Sequence, residues 1–183
     1  MKTSVALIGP PGVGKSRVSR KLAKFTGKTC ISTDMIAVYE AGGLSIPDII
    51  KKNNGDWEVF RELEVKILEK IFSNASDNLV IDCGGGILFD VDPKGNEFLS
   101  DRKLKLLKSN SKIILLMQPV EFLSEKMKSD QTRPSLSQLR SYEDILKKRI
   151  PIYQSVSDFK FNIFKMKSEE AAEKIIETLG LRS

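Results

Sequence analysis

The chain has no histidine among its 183 residues. That excludes an imidazole general base and any metal site built with a histidine ligand, so a proton acceptor has to come from Asp or Glu. Cysteine is nearly as scarce: Cys30 and Cys83 are the whole complement. Two are too few for a disulfide framework, and they read as reduced thiols. No stretch reaches 18 consecutive apolar residues, which excludes a membrane-spanning helix. The short apolar run VALI near the start is not the core of a secretion signal, so the expected location is the cytoplasm. Charge, by contrast, is plentiful, with 30 Lys and Arg against 24 Asp and Glu. The basic residues are scattered through segments such as KSRVSRKLAK and DRKLKLLK without interleaved aromatics. That is the pattern of solvated helix faces, so neither nucleic acid nor membrane is an expected partner. The length suits one compact domain over 1–183, expected to act as a monomer.

What is present starts with GPPGVGKS, Gly9 to Ser16. Gly9, Gly14, Lys15 and Ser16 satisfy the P-loop spacing G-x-x-x-x-G-K-[ST]. Glycines let the backbone curl so that successive N–H groups turn toward phosphate oxygens; Pro10, Pro11, Gly12 and Val13 complete the nucleotide-binding loop. Lys15 reaches the β- and γ-phosphates, and the Ser16 hydroxyl ligates Mg²⁺. The strand-like SVALI precedes the loop, and SRVSRKLAKF follows with Val18, Leu22 and Phe25 at helical spacing before Gly27. Strand, loop and helix N-terminus together make an anion site.

Further strands are expected at TCIS (29–32), LVIDC (79–83), KIILLM (112–117) and FKFNIF (159–164). Helices are expected at 57–72, 120–128, 141–155 and 168–179, the first with Trp57, Phe60, Leu63, Ile67 and Ile71 on one face. FDVDPKGNEF (89–98) reads as a loop from its Asp, Pro, Gly and Asn. Alternating strands and helices imply an α/β fold, a parallel sheet covered on both faces.

Ligands of such sheets gather at the carboxyl ends of the strands. The second strand ends in ISTD, with Asp34; the third ends in VIDCGGG, with Asp82 and then Gly84, Gly85 and Gly86. Three glycines suit a backbone that must approach a ligand closely. Arg61 and Glu64 lie one turn apart on the helix between them.

In this order the motifs resemble the shikimate kinase family. They are GPPGVGKS, the Asp34 strand end followed by a helix and GGLSI, F-R-x-x-E at Phe60 to Glu64, the triple glycine, SDQTRPSL with Arg133-Pro134, and R-x-P-x-Y at Arg149 to Tyr153. The resemblance implies a three-layer P-loop kinase fold with five parallel strands and a mobile lid, about 124–138, and a substrate region of about 34–64. It implies transfer of the ATP γ-phosphate to the 3-hydroxyl of shikimate, a step of aromatic amino acid biosynthesis. By the same resemblance Arg61 and Arg149 bind the substrate carboxylate, Gly84 to Gly86 lie against the substrate, and Asp34 orients or deprotonates the acceptor hydroxyl. Arg133 closes over the nucleotide and neutralises the transferring group. The 165–168 loop is placed on the adenine side by position alone.

Two positions depart from the family pattern. Ser32 stands where the first Asp of D-x-D is usual, and Cys83 stands where Thr or Ser usually precedes the glycines. The extra carboxylate Asp82 is the candidate to take over the Mg²⁺ side, and the loop after the glycines is long for the family. Other readings stay open on the residues alone. They are a kinase of the same fold acting on another hydroxylated anion or a nucleoside monophosphate, and a nucleotide-binding module that has lost transfer. A GTPase would use DCGG as D-x-x-G, but no [NT]-K-x-D follows in the chain.

Overall fold

A computed structural model describes residues 4–74, 78–129 and 141–181. Each of the five apolar runs becomes a strand: β1 (Val5–Ile8), β2 (Thr29–Ser32), β3 (Leu79–Asp82), β6 (Lys112–Met117) and β7 (Phe159–Asn162). They form one parallel sheet in the order β2-β3-β1-β6-β7. Alternate residues of a strand face opposite ways, and here both faces are apolar, as a sheet covered on both sides requires. On one face Ala6, Ile8, Ile81 and Ile113 pack against α2 (Thr33–Glu40), α3 (Ile46–Lys52), α4 (Trp57–Asn74) and α5 (Asp101–Asn110). On the other, Val5, Leu7, Val80 and Ile114 meet α1 (Lys15–Thr26), α6 (Val120–Ser129) and α8 (Ser168–Leu179). The helix α7 (Tyr142–Val156) contributes Leu146 to the second layer, and Tyr153 and Val156 to the first. No helix among the described residues is long and apolar enough to cross a membrane.

The strand order places the crevice. The connection leaving β1 runs to one side of the sheet, to β2, and the one leaving β3 crosses to the other, to β6. The carboxyl ends of β1 and β3 therefore flank the switch point where ligands bind in open α/β sheets. Residues 9–14 leave one of these ends, and Cys83 with the three glycines leaves the other.

Two expectations need correction. Residues 89–98 were expected to be a loop, but they belong largely to an antiparallel hairpin of β4 (Phe89–Val91) and β5 (Glu97–Leu99). The turn chemistry is real and sits between the strands: Asp92 Oδ1 accepts from Lys94 N at 2.9 Å and Asn96 N at 2.8 Å. Its flanks are apolar enough to pair, with Phe89 buried. Phe25, placed by its spacing on the packing face of α1, is 41% exposed, whereas Leu22 is fully buried. The face of α1 that meets the sheet and α8 is narrow, and Phe25 lies beyond its edge. Leu22→Ala is accordingly expected to cost about 2–5 kcal/mol of stability and Phe25→Ala less than about 1 kcal/mol. Denaturant midpoints of the two variants measure the difference.

Candidate active site

The loop after β1 is held by its carbonyls. Lys15 Nζ donates to Gly9 O at 2.9 Å and Pro10 O at 3.0 Å. Tyr142 hydroxyl donates to Pro11 O at 2.6 Å, Lys126 Nζ to Gly12 O at 2.8 Å, and Gln118 Nε2 to Val13 O at 3.0 Å. Five consecutive carbonyls thus have donors, and the Gly14 carbonyl accepts from Arg17 N and Val18 N at 3.1 Å each as α1 begins. Val13 N donates to Pro10 O at 3.3 Å, so with the carbonyls engaged the Gly12 and Gly14 amides are the loop N–H groups left to meet an anion. Gly9 is obligatory twice over: its φ is 141°, and a Cβ there would lie 2.4 Å from Leu116 O. Gly14 caps α1 with φ 109° and offers no side chain, so no protein oxygen competes at this helix terminus. Ser16 is exposed in the first turn and lines the cavity below.

Asp34 lies in the first turn of α2, not on the strand. The helix cap is Ser32, whose hydroxyl accepts from Met35 N at 3.4 Å. Asp34 is thereby relieved of any capping duty. Burial pushes its carboxyl up to about 6, with Lys15 the largest opposing influence; Glu64 and Asp82 add to the rise and Arg61 opposes it. Its buried neighbour Thr33 accepts from Gly84 N at 2.8 Å and ties the start of α2 to the glycine loop.

Each of the three glycines abuts a different group. A Cβ on Gly84 would sit 2.2 Å from Asp34 Oδ1, one on Gly85 2.7 Å from Pro11 Cγ, and one on Gly86 2.5 Å from Arg61 Nη1. None of the three has a positive φ. The run is demanded by close approach alone, and what approaches is the site's own machinery.

Arg61 and Glu64 are both buried, so this is no surface ion pair. Arg61 Nη1 donates to Glu64 Oε2 at 3.0 Å and Gly86 O at 3.1 Å, and its guanidinium lies 5.2 Å from the Trp57 ring centre. Arg149, also buried, donates from Nη1 to Gly85 O at 3.2 Å and lies 4.9 Å from the ring of Phe89. Burial opposes the charge on Arg149, but Glu97 of β5 and Tyr153 together outweigh that and raise its pKa above the usual guanidinium range. Burial also pushes the Tyr153 hydroxyl up to about 12, and that hydroxyl donates to Gly85 O. The thiol of buried Cys83 is raised by burial as well and stays protonated.

Asp82 closes β3 beside both neighbouring strands: its register partners are Ser32 on β2 and Leu7 on β1. One cavity of about 640 Å³ is lined by Lys15, Ser16, Asp34, Asp82, Arg61 and Arg149. Ser45, Ile46, Pro47, Trp57 and Phe60 from the 34–64 region line it too. A second cavity of about 280 Å³, lined by Val13, Gly14 and Arg17, includes Met166, Lys167 and Ser168 of the segment placed on the adenine side. Of the expected lid, residues 124–129 lie in α6; Arg133 and the rest lie outside the described residues. Thr33, Glu97, Gln118, Lys126 and Tyr142 had no place in the sequence-based site, because their partners lie far off in the chain.

A family model described as shikimate kinase matches residues 11–180. The shikimate kinase of Leptospira borgpetersenii is 51% identical over 179 residues, covering 98% of this chain and 99% of that protein. That of Dehalococcoides mccartyi is 33% identical over 180 residues, covering 97% and 94%. Among solved structures, shikimate kinase from Acinetobacter baumannii in complex with shikimate superposes with a TM-score of 0.80 at 28% identity, covering 97% of this chain and 92% of that one. Motif order, strand order and near-complete coverage by these relatives agree, and the chain belongs to the shikimate kinase family.

Proposed function

We propose that the protein transfers the γ-phosphate of ATP to the 3-hydroxyl of shikimate, in the cytoplasm and as a monomer. The observation that carries this reading is one cavity lined by a P-loop, a carboxylate and two buried arginines. Gly9 to Ser16 bind the triphosphate through loop amides and the Lys15 ammonium. Arg61 and Arg149 take the carboxylate of the acceptor, which a guanidinium holds through paired N–H groups. The backbone of Gly85 and Gly86, which line the cavity, forms the floor beneath the ring, while Gly84 backs Asp34. Asp34 stands within electrostatic reach of both Lys15 and Arg61, between donor and acceptor, and receives the hydroxyl proton as the oxygen attacks phosphorus. Arg133 belongs to this reading as the lid residue over the nucleotide, with 124–138 as the lid of a single 1–183 domain.

The donor set fits Mg²⁺. Among the described residues no group of three or more His, Cys, Asp or Glu side chains could hold a metal alone, and Mg²⁺ is commonly held by one or two protein oxygens together with substrate phosphates and water. Ser16 would ligate it directly and Asp82 through water; when bound it neutralises charge on the β- and γ-phosphates. The register supports this: Asp82 sits directly across from Ser32, the position where the usual carboxylate is missing.

ADP release from ATP and Mg²⁺ is expected to depend strongly on added shikimate. An equal rate without shikimate, with ATP binding intact, would break the assignment. The Asp34 carboxyl is ionised above about 6 and protonated below it, so the wild-type rate falls as pH drops through that value. Asp34→Asn is expected to lower kcat by roughly 10² or more and to erase that limb of the pH–rate profile. Asp82→Asn is expected to raise the Mg²⁺ concentration for half-maximal rate by roughly tenfold or more; an unchanged Mg²⁺ requirement would remove Asp82 from the metal side.

A further inference from the structure

Arg61 on α4 and Arg149 on α7 come from distant parts of the chain, and both are almost wholly buried, 4% and 2% exposed. Two cations facing one cavity repel each other, the more so out of water. A single carboxylate joins them. Glu97 of β5 accepts from Arg61 Nη2 at 3.3 Å, from Arg149 Nε at 2.9 Å, and from Arg149 Nη2.

Glu97 is itself held on a fixed support. At the other strand of its hairpin, fully buried Lys103 pairs with Asp90 at 2.9 Å and donates to Phe89 O at 2.6 Å. The same ammonium donates to Glu64 Oε2 at 3.0 Å, and Glu64 in turn accepts from Arg61. Arg61, Glu64, Lys103, β4, β5 and Glu97 therefore form a closed circuit that returns to Arg61. Phe89 adds an aromatic face under Arg149.

The edges of the guanidiniums decide what this circuit does. A guanidinium presents one paired edge through Nε and Nη2 and another through Nη1 and Nη2. Glu97 covers the Nε–Nη2 edge of Arg149, while Nη1 turns to Gly85. Both arginines line the main cavity together with Gly85 and Gly86, and Glu97 stands outside it. The buttress is on one side and the acceptor's space on the other.

We infer that Glu97 is a positioning residue for the acceptor: its carboxylate holds Arg61 and Arg149 together from behind, so that an incoming carboxylate meets a site already formed. The inference rests on the proposed function above, in which these arginines take the acceptor's carboxylate. It comes from the hairpin and is separate from the P-loop and from Asp34.

The test is steady-state ADP release by the full chain, varying shikimate and ATP separately. Glu97→Gln is expected to raise the KM for shikimate by roughly tenfold while the KM for ATP stays within about twofold. Glu97→Asp keeps the charge and is expected to fall between wild type and Glu97→Gln. Trp57 is the only tryptophan and stacks on Arg61, so its emission during a shikimate titration gives the same ranking without turnover. A shikimate KM that is unchanged in Glu97→Gln overturns the inference. A lowered KM overturns it too, by making Glu97 a competitor for the arginines. So does a parallel rise in both KM values, which marks a general loss of structure, or a Glu97→Asp variant no better than Glu97→Gln. Absence of shikimate-dependent ADP release in the wild type instead overturns the proposed function itself.

Discussion

Taking guanidinium and ammonium groups out of water is costly unless each is met by an opposite charge in good geometry, and the acceptor side of this molecule is organised by that requirement. Arg61, Lys103 and Arg149 are buried, and the carboxylates that meet them are Glu64, Asp90 and Glu97. The pairings reach across α4, α5, α7 and the β4–β5 hairpin. None of these elements can shift alone without leaving a charge uncompensated, and breaking one partner of a buried pair typically costs about 3–5 kcal/mol. The helices and hairpin are thus fixed relative to each other by charge as well as by the apolar core beneath them.

The donor side is built differently. Its loop is held chiefly by hydrogen bonds to backbone carbonyls, three of them from the ammonium groups of Lys15 and Lys126 and two from the neutral side chains of Gln118 and Tyr142. Every such bond commits a carbonyl and spares an amide. With those carbonyls engaged and Val13 N turned to Pro10 O, the Gly12 and Gly14 amides and the start of α1 are what the loop offers an anion. One half of the cavity is ordered by ion pairs and the other by backbone bookkeeping.

Much of this was legible in the sequence because the signals are local. The P-loop is four residues at fixed spacing between a strand and a helix, and the five apolar runs all became strands. F-R-x-x-E and R-x-P-x-Y marked the two arginines. The hairpin was missed because its strands are three residues each around a genuine turn. Lys103 and Glu97 were missed because a buried charge and a surface charge look alike in sequence; in DRKLKLLK nothing distinguishes Lys103 from its solvated neighbours. Gln118, Lys126 and Tyr142 meet the P-loop across 105, 114 and 131 residues, and no periodicity reports such contacts. Ser32, which stands where the family usually has Asp, is the cap of α2, a task its position in the sequence did not reveal.

The triple glycine has a mechanical meaning beyond the room it provides. At its three positions a Cβ would collide in turn with Asp34, Pro11 and Arg61. The spacing of three residues from three different elements is therefore gauged from one short length of backbone. A displacement of that backbone alters its packing against all three at once. In-line transfer depends on those separations and not on absolute position, since misplacement of about 1 Å can cost about 10² in rate. One short segment packed against three elements is thus a single point at which their spacing is set.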